Sequence, residues 1–196
     1  MKSKKKTVSS GNQITRRVVL RGLRPLMFDR FGGSIEPDAQ LLPEEKIYVS
    51  SENPRNLIFP SSNLMSFLSA QNTESAPKRV IKGRGAWQKV AKAALSFIDI
   101  DPIEIPIMRE GVQATVDDIH IDVRKAIVLK GKLAIPSPKE RPVLDRPWSL
   151  EFQVTLYKNP DLAEEVLLRL FEEGGIQIGI GTYRGIFGKF EVETWE

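Results

Sequence analysis

The residues best suited to chemistry lie in a glycine-rich stretch, GGIQIGIGTYRGIFGKFEVETWE, residues 174–196. Glycine allows backbone angles and close approaches that other residues resist. An aromatic ring can stack on a nucleobase, and Arg or Lys can meet a phosphate. The stretch predicts a loop that lets an RNA strand approach, and a β-hairpin whose glycines serve a bulge or tight packing is the alternative. The candidate RNA contacts are Gly181, Tyr183, Arg184, Gly185 and Lys189.

This stretch does not match the phosphate-binding P-loop, which requires the pattern G-x-x-x-x-G-K-[ST]. Gly188 and Lys189 supply the central pair of that motif. Tyr183 stands where the first glycine belongs, and Phe190 stands where Ser or Thr belongs. The sequence therefore gives no support to a nucleotide–magnesium site of this kind.

Positive charge is concentrated in two short segments. The chain carries 29 Lys and Arg against 25 Asp and Glu, a net charge of +4, which alone favours polyanions only weakly. A basic cluster also fits a solvated surface with no partner, so each cluster leaves both interpretations open. The candidate RNA contacts are Arg16, Arg17, Arg21 and Arg24 in the first segment and Lys78, Arg79, Lys82 and Arg84 in the second.

Several classes of catalytic site are disfavoured by composition. The chain has no cysteine, which excludes thiolate metal sites, disulfides and cysteine nucleophiles. The single histidine, His120, would need several carboxylates to complete a zinc site, and no G-x-S-x-G nucleophile motif is present. We therefore expect no metal, no cofactor, and a binding protein rather than an enzyme.

The sequence also bears on the compartment. No apolar run approaches the roughly 20 residues that span a bilayer. The basic first residues, Lys2 and Lys4–Lys6, are not followed by the apolar segment of a secretory signal. The lack of cysteine fits a reducing environment. We expect a cytoplasmic protein.

The first half of the chain predicts two strands and two helices. Residues 15–27 alternate as a strand, with Val18, Leu20 and Gly22 on one face, and Pro25 should interrupt pairing. The segment FDRFGG is then a loop. A short strand over 56–59 precedes a helix capped by Ser61 or Ser62. Residues 72–85 are predicted to be mobile, and a second helix over 86–98 should bury Val90, Ala94 and Phe97.

The second half predicts more strands and one helix. Residues 118–123 and 126–135 read as strands, while the four prolines of 136–147 predict a loop. Residues 148–157 alternate strongly and predict a strand. A helix over 162–172 should be capped by Asn159, begin near Pro160 and end at Gly174–Gly175. Two short strands over 176–180 and 187–194 would flank the glycine-rich loop.

This order of elements predicts an α+β fold: a ferredoxin-like or RRM-like antiparallel sheet with helices on one face. We expect residues 1–13 to form a disordered basic tail and residues 14–196 to form a single domain. Insertions are predicted at about 34–55, 72–85 and 136–147, together with the C-terminal glycine-rich loop.

Three of these segments resemble motifs of the RAMP superfamily, whose members build CRISPR effector complexes. The first strand ends near a glycine-bearing loop, Leu20 to Gly33, and Phe59-Pro60-Ser61-Ser62-Asn63-Leu64 resembles the family's opening of its first helix. The stretch Gly179–Gly188 resembles the family's glycine-rich loop. The resemblance implies a subunit that coats guide RNA, and it adds Arg30, Ser61 and Ser62 to the candidate RNA contacts.

The resemblance also implies partners and one catalytic candidate. The implied partners are single-stranded guide RNA, copies of the chain in a head-to-tail filament, and other effector subunits. Some backbone subunits of the family cut target RNA with an Asp in the loop after the first strand, and Asp29 occupies a comparable place. The alternative for Asp29 is a turn-forming residue that pairs with Arg30. The alternative for the whole chain is a structural or assembly protein, for example viral, that uses the fold without nucleic acid.

Overall fold

The computed structural model describes residues 11–32, 41–130 and 133–196. Most of the predicted tail lies outside these ranges, and Gln13 already belongs to the first strand. The strands are β1 (Gln13–Gly22), β2 (Leu26–Met27), β3 (Ile58–Pro60), β4 (Ile98–Asp101), β5 (Glu104–Arg109), β6 (Val112–Gln113), β7 (Ile119–Lys130), β8 (Leu133–Leu144), β9 (Ser149–Tyr157) and β10 (Phe190–Trp195). The helices are α1 (Ser61–Ser69), α2 (Ala76–Val80), α3 (Arg84–Phe97) and α4 (Glu164–Gln177).

The centre of the fold is an antiparallel sheet in the order β10-β1-β9-β4. The helices α1 to α3 connect β1 to β4, and α4 connects β9 to β10. Two βαβ units interleaved in this way give the ferredoxin-like arrangement. Beyond β4, β9 also pairs with β5, which extends the sheet to β3 and β6. The predicted α+β fold is confirmed.

Alternation along β1 and β9 separates the core from the open face of the sheet. Val18 and Leu20 are buried with Leu150 and Phe152, in the same apolar cluster as the inner residues of α1, α3 and α4. Gly22 is required on this face because a Cβ there would lie 2.2 Å from the Trp148 ring. The predicted inner face of the first strand is therefore confirmed.

A long hairpin of β7 and β8, each 12 residues, forms a separate three-stranded sheet with β2, and no strand pairing in the described part of the chain joins it to the main sheet. The predicted loop over 136–147 is wrong, since β8 runs through Pro136, Pro138 and Pro142. Phe28 N donates to Pro142 O, so position 142 turns its backbone polar groups away from β7. Pro136 and Pro138 are an even number of residues away from Pro142, so their backbone groups point to the same side of β8. The missing N–H of each proline therefore removes no hydrogen bond to β7.

Several predicted helix boundaries also need correction. Pro60, not a serine, occupies the N-cap of α1, and no side chain caps that helix. Ala163 is the N-cap of α4, while the Asn159 carboxamide accepts from the backbone of Asp161 and Leu162 in a turn before it. The helix does not end at Gly174–Gly175 but continues to Gln177, so the predicted strand over 176–180 is wrong.

Two further expectations about helices differ from the structure. Residues 72–85, expected to be mobile, include α2, whose Ala76 and Pro77 are buried. Phe97, expected in the core, is 37% exposed because α3 ends there and β4 begins. Among the described residues, no helix is long and apolar enough to cross a membrane.

Candidate nucleic-acid interface

Three segments singled out in the sequence meet around one cleft of about 220 Å³. The loop after β2 contributes Asp29, the first turns of α1 contribute Asn63 and Ser66, and the glycine-rich loop, residues 178–189, contributes Thr182 and Arg184. The cleft thus joins parts of the chain that are far apart in sequence. Its other lining residues are Phe28, Tyr48, Phe59, Phe67, Ile180 and Gly181.

The glycine-rich loop is folded tightly on itself and on β2. Gly185 N donates to Ile178 O at 2.7 Å, and Thr182 N donates to Met27 O at 3.0 Å. A Cβ on Gly188 would lie 1.8 Å from Ile180 O, so this position is closed to any other residue. Gly185 also has a positive φ of 90°, but a Cβ there would meet open space. Gly188 is therefore needed for the fold of the loop, whereas the space beside Gly185 is open to a ligand.

Arg184 is held inside the cleft rather than displayed on the surface. Its Nη1 donates to the Glu74 carbonyl oxygen at 2.7 Å, which ties the loop to the start of α2. Burial lowers the pKa of Arg184 from its ordinary value, against the opposing charge of Glu74. A guanidinium fixed in this way keeps further N–H groups for a ligand without first losing side-chain freedom.

The base of the β7–β8 hairpin packs on the glycine-rich loop through two arginines. The Arg124 guanidinium lies 4.8 Å from the centroid of the Phe187 ring, and that of Arg141 lies 6.0 Å from the Tyr183 centroid. Tyr183 has a φ of 54° and is 37% exposed. Its ring is therefore oriented by neighbours yet partly free for stacking.

Asp29 is paired, but not with the predicted partner. Arg141 Nε donates to Asp29 Oδ2 at 2.8 Å, so the link joins the loop after β2 to the hairpin. The expected pair with Arg30 is wrong, since the Asp29 carboxylate pairs with Arg141 and no ion pair joins it to Arg30 among the described residues. This ion pair holds Asp29 in the lining of the cleft, and its catalytic role stays a prediction.

The second basic cluster adjoins the cleft through Glu74. Lys78 Nζ and Arg79 Nε each lie 3.8 Å from the Glu74 carboxylate, whose backbone holds Arg184. Lys82 and Arg84 are exposed, and neither has a side-chain partner within the described ranges. Positive charge therefore continues from the cleft along α2 to the start of α3.

The first basic cluster does not line the cleft, and three of its arginines lie along β1. Arg16 forms a two-bond ion pair with Glu164 at the start of α4, on the helix side of the sheet. Arg17 and Arg21 lie on the open face, where carboxylates of β9, β10 and the residue after β10 neutralise them. These arginines are structural in this arrangement, and their predicted RNA contact stays a prediction.

The remaining predicted residues lie around the cleft or along its approaches. Ser61 and Ser62 are the first two residues of α1 and directly precede the lining residue Asn63, and the Ser61 N–H donates to Ile103 O. The backbone carbonyl of Lys189 accepts from Leu23 and Arg24, which fixes the end of the glycine-rich loop. The Arg24 side chain makes no hydrogen bond or ion pair within the described ranges.

Sequence reasoning missed five residues that the fold brings to this region. Asn63 and Ser66 are three positions apart and so share one face of a helix, which is the one local signal that was available. Tyr48 lies in a segment predicted as an insertion, and Arg141 lies in a segment predicted as a loop. Thr182 directly precedes Tyr183 but was not among the predicted contacts. The five are Tyr48, Asn63, Ser66, Arg141 and Thr182.

The interface contains no arrangement that suggests a metal centre. Over the described ranges, no group of three or more His, Cys, Asp or Glu side chains is placed to hold a metal ion. His120 lies on β7 with its Nδ1 3.5 Å from Asp145 Oδ2, in an exposed pair.

Comparison with known proteins gives a structural likeness only. No protein-family model matches the chain, and no curated protein matches its sequence. The fold is similar to a chain in the cryo-EM structure of the Type III-B Cmr-beta bound to cognate target RNA, with a TM-score of 0.53 and 12% identity. The match covers 95% of this chain and 61% of that chain. At this identity the likeness shows a shared fold, and this chain spans about 61% of the length of the chain it matches.

Proposed function

We propose that this protein is an RNA-binding subunit of a CRISPR-type ribonucleoprotein complex, similar to the backbone subunits that coat guide RNA. The observation that carries the proposal is the convergence of three segments, the loop after β2, the start of α1 and the glycine-rich loop, on one cleft. These are the segments whose sequences resemble RAMP motifs. The similar fold of a chain from an RNA-bound Cmr-beta structure supports the same proposal.

The RNA path in this proposal runs over the glycine-rich loop and onto the second basic cluster. Tyr183 offers a partly exposed ring for a base, and Lys82 and Arg84 offer unpaired positive charge for phosphates. Gly185 leaves space for the strand beside them. The proposed path does not use the open face of the sheet, where carboxylates pair with Arg17 and Arg21 and would repel phosphate.

Assembly is the second part of the proposal. Copies of the chain would stack head to tail along one RNA strand, together with other effector subunits. The β7–β8 hairpin stands outside the main sheet and is long enough to reach a neighbour, since 12 residues of strand span roughly 40 Å.

The test is RNA affinity as a function of salt. Each phosphate contact with single-stranded RNA contributes a log–log slope of about −0.7, so we expect a steep loss of affinity with salt. The double variant Lys82→Glu, Arg84→Glu should weaken binding and reduce the slope by about 1.4, the share of two contacts. The control, Lys158→Glu with Arg169→Glu, makes the same change in net charge on exposed positions away from the cleft.

The control variant should retain the wild-type slope. Salt-independent affinity, or no binding at low salt, would contradict RNA binding. Equal effects of the two double variants would show that net charge alone, and not the proposed path, attracts the RNA.

A further inference from the structure

The cleft between the loop after β2, α1 and the glycine-rich loop has more hydrogen-bonding groups than the fold uses. The side chains of Asn63, Ser66 and Thr182 line it, and none makes a hydrogen bond within the described part of the chain. Buried aromatic side chains, Phe59 and Phe67, form part of its floor. Polar groups over an apolar floor are the usual composition of a small-ligand site.

Two charged groups of opposite sign complete the lining. Arg184 has only donors, and Nη1 is already fixed by the Glu74 carbonyl, which leaves the rest of its fork for a ligand. Asp29 has only acceptors, and Arg141 Nε occupies Oδ2. A phosphate has only acceptors in its charged form, so it would face an acceptor at Asp29. The cleft instead matches an uncharged ligand that both accepts and donates.

The volume limits this ligand to something small. About 220 Å³ corresponds to roughly seven water molecules at about 30 Å³ each. That is room for one planar heterocycle but not for a base pair. Proteins that read single-stranded RNA commonly take up single unstacked bases and hydrogen-bond their edges.

We propose that this cleft binds one unstacked base of the RNA and selects guanine, an inference that rests on the proposed RNA-binding function. Guanine presents two adjacent acceptors, O6 and N7, which suit the planar fork of Arg184. On another edge it presents adjacent N–H donors, which suit the carboxylate of Asp29. Adenine, cytosine and uracil do not combine two adjacent acceptors with two adjacent donors. The hydroxyl of Thr182 and the carboxamide of Asn63 add donors or acceptors around the same base.

The experiment compares short labelled RNAs that differ at one position. The probes are an eight-uridine RNA and three versions whose central residue is guanosine, adenosine or cytidine, measured by fluorescence anisotropy at one salt concentration. We expect the guanosine RNA to bind at least about fivefold more tightly than the others, as a bidentate Arg–guanine pair implies. Arg184→Lys keeps the charge but removes the fork, so the ratio of guanosine to uridine affinity should fall to near one.

Two further variants keep the test decisive. Asp29→Asn is an exposed, isosteric change, and it should also abolish the guanosine preference, even if Arg184→Lys were to disturb the loop. Arg169→Lys makes the same chemical change as Arg184→Lys on the exposed side of α4, and it should keep the wild-type ratio. Equal affinity of the wild type for all four RNAs, or preference for another base, would overturn the guanine site while leaving RNA binding standing. Absence of binding to every RNA at low salt would overturn both.

Discussion

Gly188 lies where the glycine-rich loop folds back on itself, and its surroundings leave no room for a side chain. A Cβ there would lie 1.8 Å from Ile180 O, and its φ is 66°. Gly185 has a similar φ of 90° but open space around it. Comparing the two positions separates the cost of a steric clash from the cost of backbone conformation.

We predict that Gly188→Ala destabilises the protein by about 3 kcal/mol, because overpacking adds to the strain of a positive φ. Gly185→Ala should cost only about 1 kcal/mol, since strain acts alone. Gly85→Ala, which lies in α3 with nothing within 4 Å of the added Cβ, should leave the thermal midpoint unchanged or slightly higher. Thermal unfolding of the three variants checks this order. A Gly188→Ala protein as stable as Gly185→Ala would contradict the tight fold of the loop.

Glu164 links three elements at the start of α4. Its carboxylate accepts from Arg16 Nε at 2.6 Å and from Trp195 Nε1 at 3.0 Å, which ties α4 to β1 and β10. The hydrogen bond from Arg16 lowers the pKa of Glu164 below its ordinary value, more than burial raises it. The charged form is therefore the one that the folded state favours.

This arrangement predicts a pH-dependent stability. A carboxyl group whose pKa is lowered in the folded state stabilises above its unfolded pKa, and the contribution is lost as the pH falls through the folded value. Glu164→Gln should therefore lower the thermal midpoint at pH 7 by about 2–4 °C, the equivalent of about 1 kcal/mol. The difference between variant and wild type should shrink below about pH 4.5. A difference that stays constant between pH 7 and pH 3 would rule out this ionisation as its cause.

At the scale of elements, the β7–β8 hairpin is the least integrated part of the fold. Its strands pair with each other over their length, and in the described part of the chain only Leu144 and Val143 pair with the rest, through β2. Arg124 and Arg141 then hold its base against the glycine-rich loop and Asp29. The base is thus fixed by side chains, while the strand pairing described further out joins β7 and β8 to each other.

We predict that the outer hairpin can be removed without unfolding the domain. Arg124 and Lys139 face each other in the ladder, so deleting residues 125–138 and joining them through Asn-Gly gives a two-residue turn between paired positions. The thermal midpoint should fall by only a few degrees, with cooperative unfolding retained, as circular dichroism can measure. Loss of cooperative unfolding would mean that the outer strands support the core.

The strands that local pattern could predict are those with one buried face. Val18 and Leu20 in β1, and Leu150 and Phe152 in β9, repeat every second residue, and this period is visible in any window of the sequence. Pro142 led to the wrong prediction of a loop. A strand accepts a proline wherever an N–H at that position would point away from the partner strand, and this direction depends on strand pairing rather than on the residue type.

The parts that could not be predicted depend on distant neighbours. Gly174 lies inside α4, where a Cβ would come within 2.7 Å of the Ala76 Cβ. A glycine at this position therefore allows close packing and does not end the helix. The glycines around Tyr183 and Arg184 were enough to predict that these two residues lie in a loop. Arg141 was not, because it meets Asp29 across 112 residues of sequence.

For the whole molecule, the distribution of charge matters more than its sum. The net charge is only +4, yet Lys82 and Arg84, between α2 and the start of α3, are unpaired in the described structure, while carboxylates neutralise Arg17 and Arg21 on the open face of the sheet. A polyanion approaching the molecule therefore meets attraction on one side and carboxylates on the other. Under the proposed RNA-binding function, such polarity favours one orientation of the protein on the strand.

Subunits that bind RNA in one orientation can line up along a strand, and this predicts how the mass of the complex depends on RNA length. A head-to-tail contact uses different surfaces on each copy and forms an open array rather than a closed dimer. Light scattering of the protein with single-stranded RNAs of increasing length should show a mass that rises in steps with length. The Lys82→Glu, Arg84→Glu variant should lose this rise at low protein concentration, whereas Lys158→Glu with Arg169→Glu should keep it. One copy per RNA at every length would contradict assembly, even if that single copy binds tightly.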